Sequence, residues 1–133
     1  MKPDPMIDVN EVARRYSLAW NSRDPDAILS MHESNSSFEV HGRGVRAVGT
    51  EQLRVAFAGV FVRYPEFRAV AHRLLIGERH WTLDWTLEFS NEGQLRCFRC
   101  IDIVELSVAG LVSRKDTFYD YQQAQAAMTG EPA

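Results

Sequence analysis

Four side chains have the chemistry to hold a substrate oxygen or to move a proton: Tyr16, His41, Asp102 and Asp116. Tyr16 falls in the apolar pattern Val9, Val12, Ala13, Tyr16, Ala19 and Trp20, whose spacings of three and four place its phenol on a buried helical face. Asp102 stands between Cys100 and Val104 on one face of an extended segment. Desolvation at such a position raises a carboxyl pKa, and a neutral acid in an apolar site can donate a hydrogen bond where a carboxylate cannot. Asp116 shares a strand face with Phe118 and is read as facing inward, where it could act as a base. His41 is a further candidate for moving a proton, although strand alternation turns it away from Val40. Plainer readings stand beside these. Tyr16 could be packing alone, Asp102 could pair with Arg96 or Arg114, and Asp116 could pair with either arginine.

Other patterns carry less. Cys97-Phe98-Arg99-Cys100 spells C-x-x-C, but in a strand its two thiols point to opposite faces, whereas a redox pair opens a helix and a zinc site needs two more ligands. His32, His41, His72 and His80 show no ligand spacing on one helix, so no metal is expected. Gly42-x-Gly44 does not open a βαβ unit and is no nucleotide loop. No cofactor is implied.

The elements that must position these groups follow from periodicity. Asp8 and Glu11 suggest a capped start to a first helix. Asp24-Pro25 opens a short second helix running to about His32. A polar stretch, Glu33 to Ser36, leads to a strand near Ser37 to His41, and Gly42, Gly44 and Gly49 mark the next segment as a loop. Thr50 can cap a third helix bearing Leu53, Phe57, Val60 and Phe61, which Tyr64-Pro65 stops. The period then changes to two over 67–76, 80–89, 94–106 and 111–119, with short turns that force antiparallel neighbours. Residues 121–133 read as a tail. Helices followed by a long meander give an α+β domain: a curved antiparallel sheet wrapped around three N-terminal helices, enclosing an apolar pocket. Candidate pocket residues are Trp20, Phe38, Val40 and Phe57 from the first half of the chain, and Trp81, Leu83, Trp85, Phe98 and Phe118 from the strands.

The chain has 133 residues, enough for one domain spanning 1–133 with a core of about 7–121. A net charge of −3 offers nucleic acid no basic footprint. No run approaches the ~18 apolar residues of a membrane span, and Met1-Lys2-Pro3-Asp4-Pro5 lacks the apolar centre of a signal peptide. A cytoplasmic protein is the expectation, with its two cysteines reduced.

Several segments together resemble the NTF2-like superfamily, in its SnoaL-like and ketosteroid-isomerase-like branch, a cystatin-like α+β cone. They are Arg15-Tyr16-Ser17-Leu18-Ala19-Trp20-Asn21-Ser22-Arg23-Asp24 at the first helix corner, Gly44-Val45-Arg46-Ala47-Val48-Gly49-Thr50-Glu51 before the third helix, Cys100-Ile101-Asp102-Ile103-Val104, and Gly110 through Asp120. The resemblance implies that Tyr16 and Asp102 occupy the positions of the isomerases' two oxyanion donors. It also places Val40, which can move no proton, where those enzymes keep their base. Asp116 resembles one aspartate of the limonene-epoxide-hydrolase group, but the arginine and second aspartate of that triad correspond to positions near Leu83 and Trp85. The superfold hosts isomerases, cyclases, dehydratases and non-enzymes, so it speaks for fold more than for activity.

Two functions are therefore expected to compete. One is a cofactor-independent isomerase, cyclase or dehydratase acting on an apolar carbonyl, polyketide-like or steroid-like compound. The other is a ligand-binding or dimerisation module without catalysis. Neither a nucleic acid nor a membrane is an expected partner. A homodimer through the outer sheet face is expected, because Cys97, Ile101 and Ile103 share the side of their strand that faces away from the core. Light scattering coupled to size exclusion should report about twice the chain mass, and a clean monomer at micromolar concentration would contradict it.

Overall fold

The computed structural model describes residues 6–130. Helix α1 (Val9–Asn21) begins where the Asp8 side chain accepts from the Glu11 N–H. Helix α2 (Pro25–Leu29) is capped by Asp24 with proline in its first turn, and it stops before His32 rather than reaching it. Strand β1 (His32–Val40) is longer than the polar residues 33–36 suggested, and β2 (Val45–Val48) occupies part of the segment read as a loop. Helix α3 (Thr50–Arg63) is capped by Gly49 at φ 86° and not by Thr50, and it ends at Tyr64 ahead of Pro65. The strands β3 (Arg68–Ile76), β4 (His80–Asn91), β5 (Gln94–Leu106) and β6 (Val112–Tyr119) follow as the alternating pattern predicts. The expected tail is instead a helix, α4 (Tyr121–Thr129), capped by Asp120 and closed by Gly130. Ala124 anchors it, and Asn91 Nδ2 donates to the Met128 carbonyl.

One six-stranded sheet has the order β2-β1-β6-β5-β4-β3. It is antiparallel except where β1 runs parallel to β6, which closes the chain's first and last strands on each other. Register shifts at His32/Ser37, Ala71/Arg73 and Glu105/Leu106 break the ladders. Such bulges bend a sheet and increase its twist, and here the bent sheet wraps α1 and α3. Its outer face leaves Leu95, Cys97, Ile103 and Phe118 exposed.

Trp20 is the centre of the core. Its ring lies 5.1 Å from Phe57, 5.6 Å from Phe61, 5.8 Å from Phe67 and 6.2 Å from Phe38, centroid to centroid. Pairs of this kind contribute roughly 0.5–1.5 kcal/mol each beyond area burial. Phe57 is fully buried here.

A polar seam crosses this core. Tyr16 Oη lies 2.7 Å from His32 Nε2, and His32 Nδ1 lies 2.8 Å from Ser36 Oγ. Burial pushes the His32 imidazole down to about 3, with the Lys115 charge adding to the effect. The unfolded chain takes up a proton near the ordinary histidine value that the native state refuses, so this group lowers stability as pH falls from about 6.5 towards 3. His32→Gln removes that linkage. In urea titrations, the wild type should lose about 2 kcal/mol more than the variant between pH 7 and 4.5. Equal losses in the two proteins would show that His32 is not held neutral.

Candidate functional site

The sheet and α3 enclose a cavity of about 320 Å³, near the lower end of the range for small-molecule sites. Trp20, Phe38, Val40, Phe67 and Trp85 form apolar walls, and Lys115 lies at the inner end. The inward residues of β6, Lys115, Thr117 and Tyr119, all line it. A narrower recess continues behind Lys115, bounded by Tyr16, Trp81, Leu83 and Asp102. Lys115 therefore lines both spaces, and Asp102, beside it, lines the recess.

Lys115 is only 4% exposed. Its Nζ is 3.5 Å from Asp102 Oδ2 and 3.9 Å from the centre of the Trp20 ring, with Tyr16 and Phe38 rings at 5.1 and 5.5 Å. Burial pushes the lysine pKa below its ordinary value, and Asp102 opposes that shift. Asp102 Oδ1 accepts a 2.7 Å hydrogen bond from Thr117 Oγ1. An ammonium carries three donors; Asp102 faces one side of this one and aromatic rings face the rest. The Trp20 and Trp85 indole N–H groups and the Tyr119 hydroxyl are buried and make no hydrogen bond among the described residues. The cavity thus offers a bound molecule a cation and several donors within apolar walls.

The sequence expectations separate into two groups. Tyr16 and Asp102 are inward and buried, and both line the recess with Lys115. Asp102 pairs with neither Arg96 nor Arg114; its partners are Lys115 and Thr117. The tautomer of His32 decides whether Tyr16 gives its proton to the ring or keeps it for the recess. Trp20, Phe38, Val40 and Trp85 line the cavity, while Trp81 and Leu83 line the recess. Phe57 and Phe98 belong to the packed core, Phe98 against Tyr64, Phe89 and Tyr119.

Asp116, His41 and Phe118 are corrections, since all three lie on the outer face. Asp102 pairs with Thr117 across β5 and β6, and Phe38 with Lys115 across β1 and β6. Cross-strand partners share a face, so the inward set is Lys115, Thr117 and Tyr119, and Asp116 and Phe118 point away. His41 stacks on Phe118 at 4.1 Å, and its Nε2 lies 2.8 Å from Asp116 Oδ1. Arg114 Nε donates to Asp116 Oδ2 at 2.8 Å, which is one of the ion pairs anticipated. Burial would raise the Asp116 carboxyl, but His41 and Arg114 more than reverse that and hold it below its ordinary value. Cys97 is exposed and Cys100 buried, so the C-x-x-C spelling is split across the sheet.

Lys115 is the residue that sequence reasoning missed. Each face of β6 offers a charge and an aromatic, Lys115 with Tyr119 or Asp116 with Phe118, so alternation cannot choose between them. Counting back through the β5–β6 turn would decide it, but the bulge between Glu105 and Leu106 breaks the count. Arg43, Arg63 and Tyr64, which also line the cavity, gave no periodic signal. Among the described residues, Glu39, His41 and Asp116 form the cluster best placed for a metal, with candidate ligand atoms within 4.8 Å of one another. Those atoms already serve each other and Arg114.

The fold has counterparts among solved structures. A protein from Catenulispora acidiphila with a ketosteroid isomerase-like fold, solved in complex with trimethylamine, superposes with a TM-score of 0.81 at 14% identity, covering 92% of this chain and 94% of that one. A putative SnoaL-like polyketide cyclase from Jannaschia sp. gives 0.80 at 17% identity, with 99% of both chains covered. SalBIII, an epoxide hydrolase/cyclase-like enzyme of pyran ring formation in the polyether salinomycin, gives 0.76 at 19% identity, covering 86% of this chain and 92% of that one. A comparison with curated proteins found no match. Residues 13–115 match the model of the SnoaL-like domain, a span that includes α1 from Ala13 onward, the sheet up to Lys115 and most of the cavity wall, and the chain belongs to that family.

Proposed function

We propose that this protein binds a small, largely apolar carbonyl compound in the cavity and catalyses proton transfer beside the carbonyl, without a cofactor. The observation that carries this is the buried Lys115–Asp102 pair at 3.5 Å, whose lysine lines both the cavity and the recess and whose aspartate lines the recess directly behind it. Lys115 donates from Nζ to the carbonyl oxygen. The Asp102 carboxylate takes a proton from the adjacent carbon, the C–H electrons pass through the new C=C bond to the oxygen, and Lys115 holds the resulting enolate. Return of the proton to another carbon is an isomerisation; attack of the enolate on a second carbonyl is a cyclisation. Fixed charge aimed at a developing oxyanion is effective where water is excluded. The pair replaces the roles first considered for Asp116 and His41, which face away from the cavity. Tyr16 closes the recess and supplies a further donor when His32 carries its proton on Nε2.

The polyketide cyclase and epoxide hydrolase/cyclase-like neighbours support a ring-forming or ring-rearranging substrate class. Val40, which lines the cavity and has no proton to move, favours the second reading, a binding module without catalysis. We further propose that the chain works as a homodimer through the outer sheet face, with its exposed Leu95, Ile103 and Phe118.

Deuterium wash-in to 2-tetralone, followed by proton NMR, separates the two readings. The wild type should accelerate exchange at the carbon beside the carbonyl, and Asp102→Asn should lose ~10²–10⁴ of that rate. Removing one member of a buried pair costs about 3–5 kcal/mol. The double variant Asp102→Asn/Lys115→Met, which leaves no orphaned charge, should therefore be folded and equally inactive. Exchange at the wild-type rate in either variant would overturn the assignment, and tetralone binding without exchange in the wild type would leave the binding module.

A further inference from the structure

Among the described residues the cavity is lined by three cations, Arg43, Arg63 and Lys115, and by no aspartate or glutamate, although the whole chain carries a net charge of −3. Lys115 has Asp102 behind it, in the recess. The two arginines have no carboxylate partner: among the described residues neither makes an ion pair, and Arg43 has only the neutral Tyr119 phenol beside it. Both are only half-buried, which places them where the cavity opens to solvent.

The mouth is built from separate parts of the fold. Arg43 is carried by the turn between β1 and β2, where Gly42 and Gly44 adopt φ of 92° and 69°, conformations open to glycine at little cost. Arg63 comes from the last turn of α3, followed at once by Tyr64. Tyr119, at the end of β6, completes the group. Both guanidinium charges act on the Tyr64 and Tyr119 phenols, lowering pKa values that burial raises. The Tyr119 hydroxyl is buried and without a hydrogen-bond partner among the described residues. Arg63 has a structural reason to be where it is, because a cation complements the C-terminal end of a helix dipole. Arg43 has none.

We infer that the substrate is an organic acid: an apolar ring compound whose carboxylate, or equally acidic enol, is held at the mouth by Arg43 and Arg63 while its carbonyl reaches Lys115. This rests on the carbonyl-binding reading above and narrows it to ligands with an acidic group at one end. Guanidinium groups suit such delocalised oxyanions, with paired N–H donors matching two oxygens. The apolar walls between the two ends fit the body of the molecule, and the separation of charges orients it in one direction only.

The test is isothermal titration of the wild-type protein with 2-naphthoate, its neutral isostere 2-naphthamide, and 2-hydroxy-1,4-naphthoquinone as the acidic enol, at low salt and neutral pH. The carboxylate or the enolate should bind at least tenfold more tightly than the amide, and whichever binds better identifies the source of the charge. Arg43→Gln/Arg63→Gln should remove that preference, bringing the anions down to the affinity that the same variant shows for the amide. An amide that binds as tightly as both anions would overturn the inference while leaving an apolar carbonyl pocket intact. A preference for anions that survives the double variant would overturn the assignment to the arginines. If none of the three binds, the pocket reading fails and the inference falls with it.

Discussion

A lysine ammonium taken out of water must be compensated, and much of this fold's inner face is arranged around that requirement. Lys115 is 4% exposed, with one carboxylate 3.5 Å away and three aromatic rings about its head. Desolvation of an ion costs several kcal/mol even after the surroundings relax, and a single counter-charge repays that only with good geometry and further hydrogen bonds. Thr117 supplies one of these by orienting Asp102. Cation–π contact with Trp20 adds on the order of 1–2 kcal/mol where it is dry. Hydrophobic residues of the same volume would be expected to give at least as stable a protein, so stability alone does not account for the pair. A substrate oxygen that uses the remaining donors would.

The constraint reaches outward through the strands. Phe38 and Asp102 can flank the lysine only if β6 sits between β1 and β5 in the observed registers. That placement sends Asp116 and Phe118 to the opposite face, where His41, Glu39 and Arg114 satisfy the carboxylate. One register decision thus fixes both the chemistry inside the cavity and the charge cluster outside it. Tyr16 is fixed by α1 and by the buried His32–Ser36 seam.

This explains which features were legible in the sequence. The α+β order, the long alternating strands and the inward position of Asp102 follow from periodicities of 3.6 and two, and β5 has the expected bounds. Trp81, Leu83, Trp85, Leu87 and Phe89 declare their face because their neighbours are polar. The strand β1 was foreshortened because Glu33, Ser34, Asn35 and Ser36 look like a turn, yet Ser36 is fully buried against His32. The last helix was missed because Gln and Ala residues show only a weak apolar stripe, and its placement depends on Asn91. Lys115 was invisible because β6 is equally amphipathic on both faces and a bulge hides its register. Long-range pairing, which local pattern does not encode, settled the choice.

The direct test of the central claim is a crystal structure of the protein soaked with 2-tetralone. The ketone oxygen should lie within hydrogen-bond distance of Lys115 Nζ, about 2.7–3.2 Å, with the adjacent carbon turned towards Asp102 and the ring between Trp20 and Trp85. A ketone bound in the cavity with its oxygen directed to the mouth, and Lys115 facing Asp102 alone, would contradict the account.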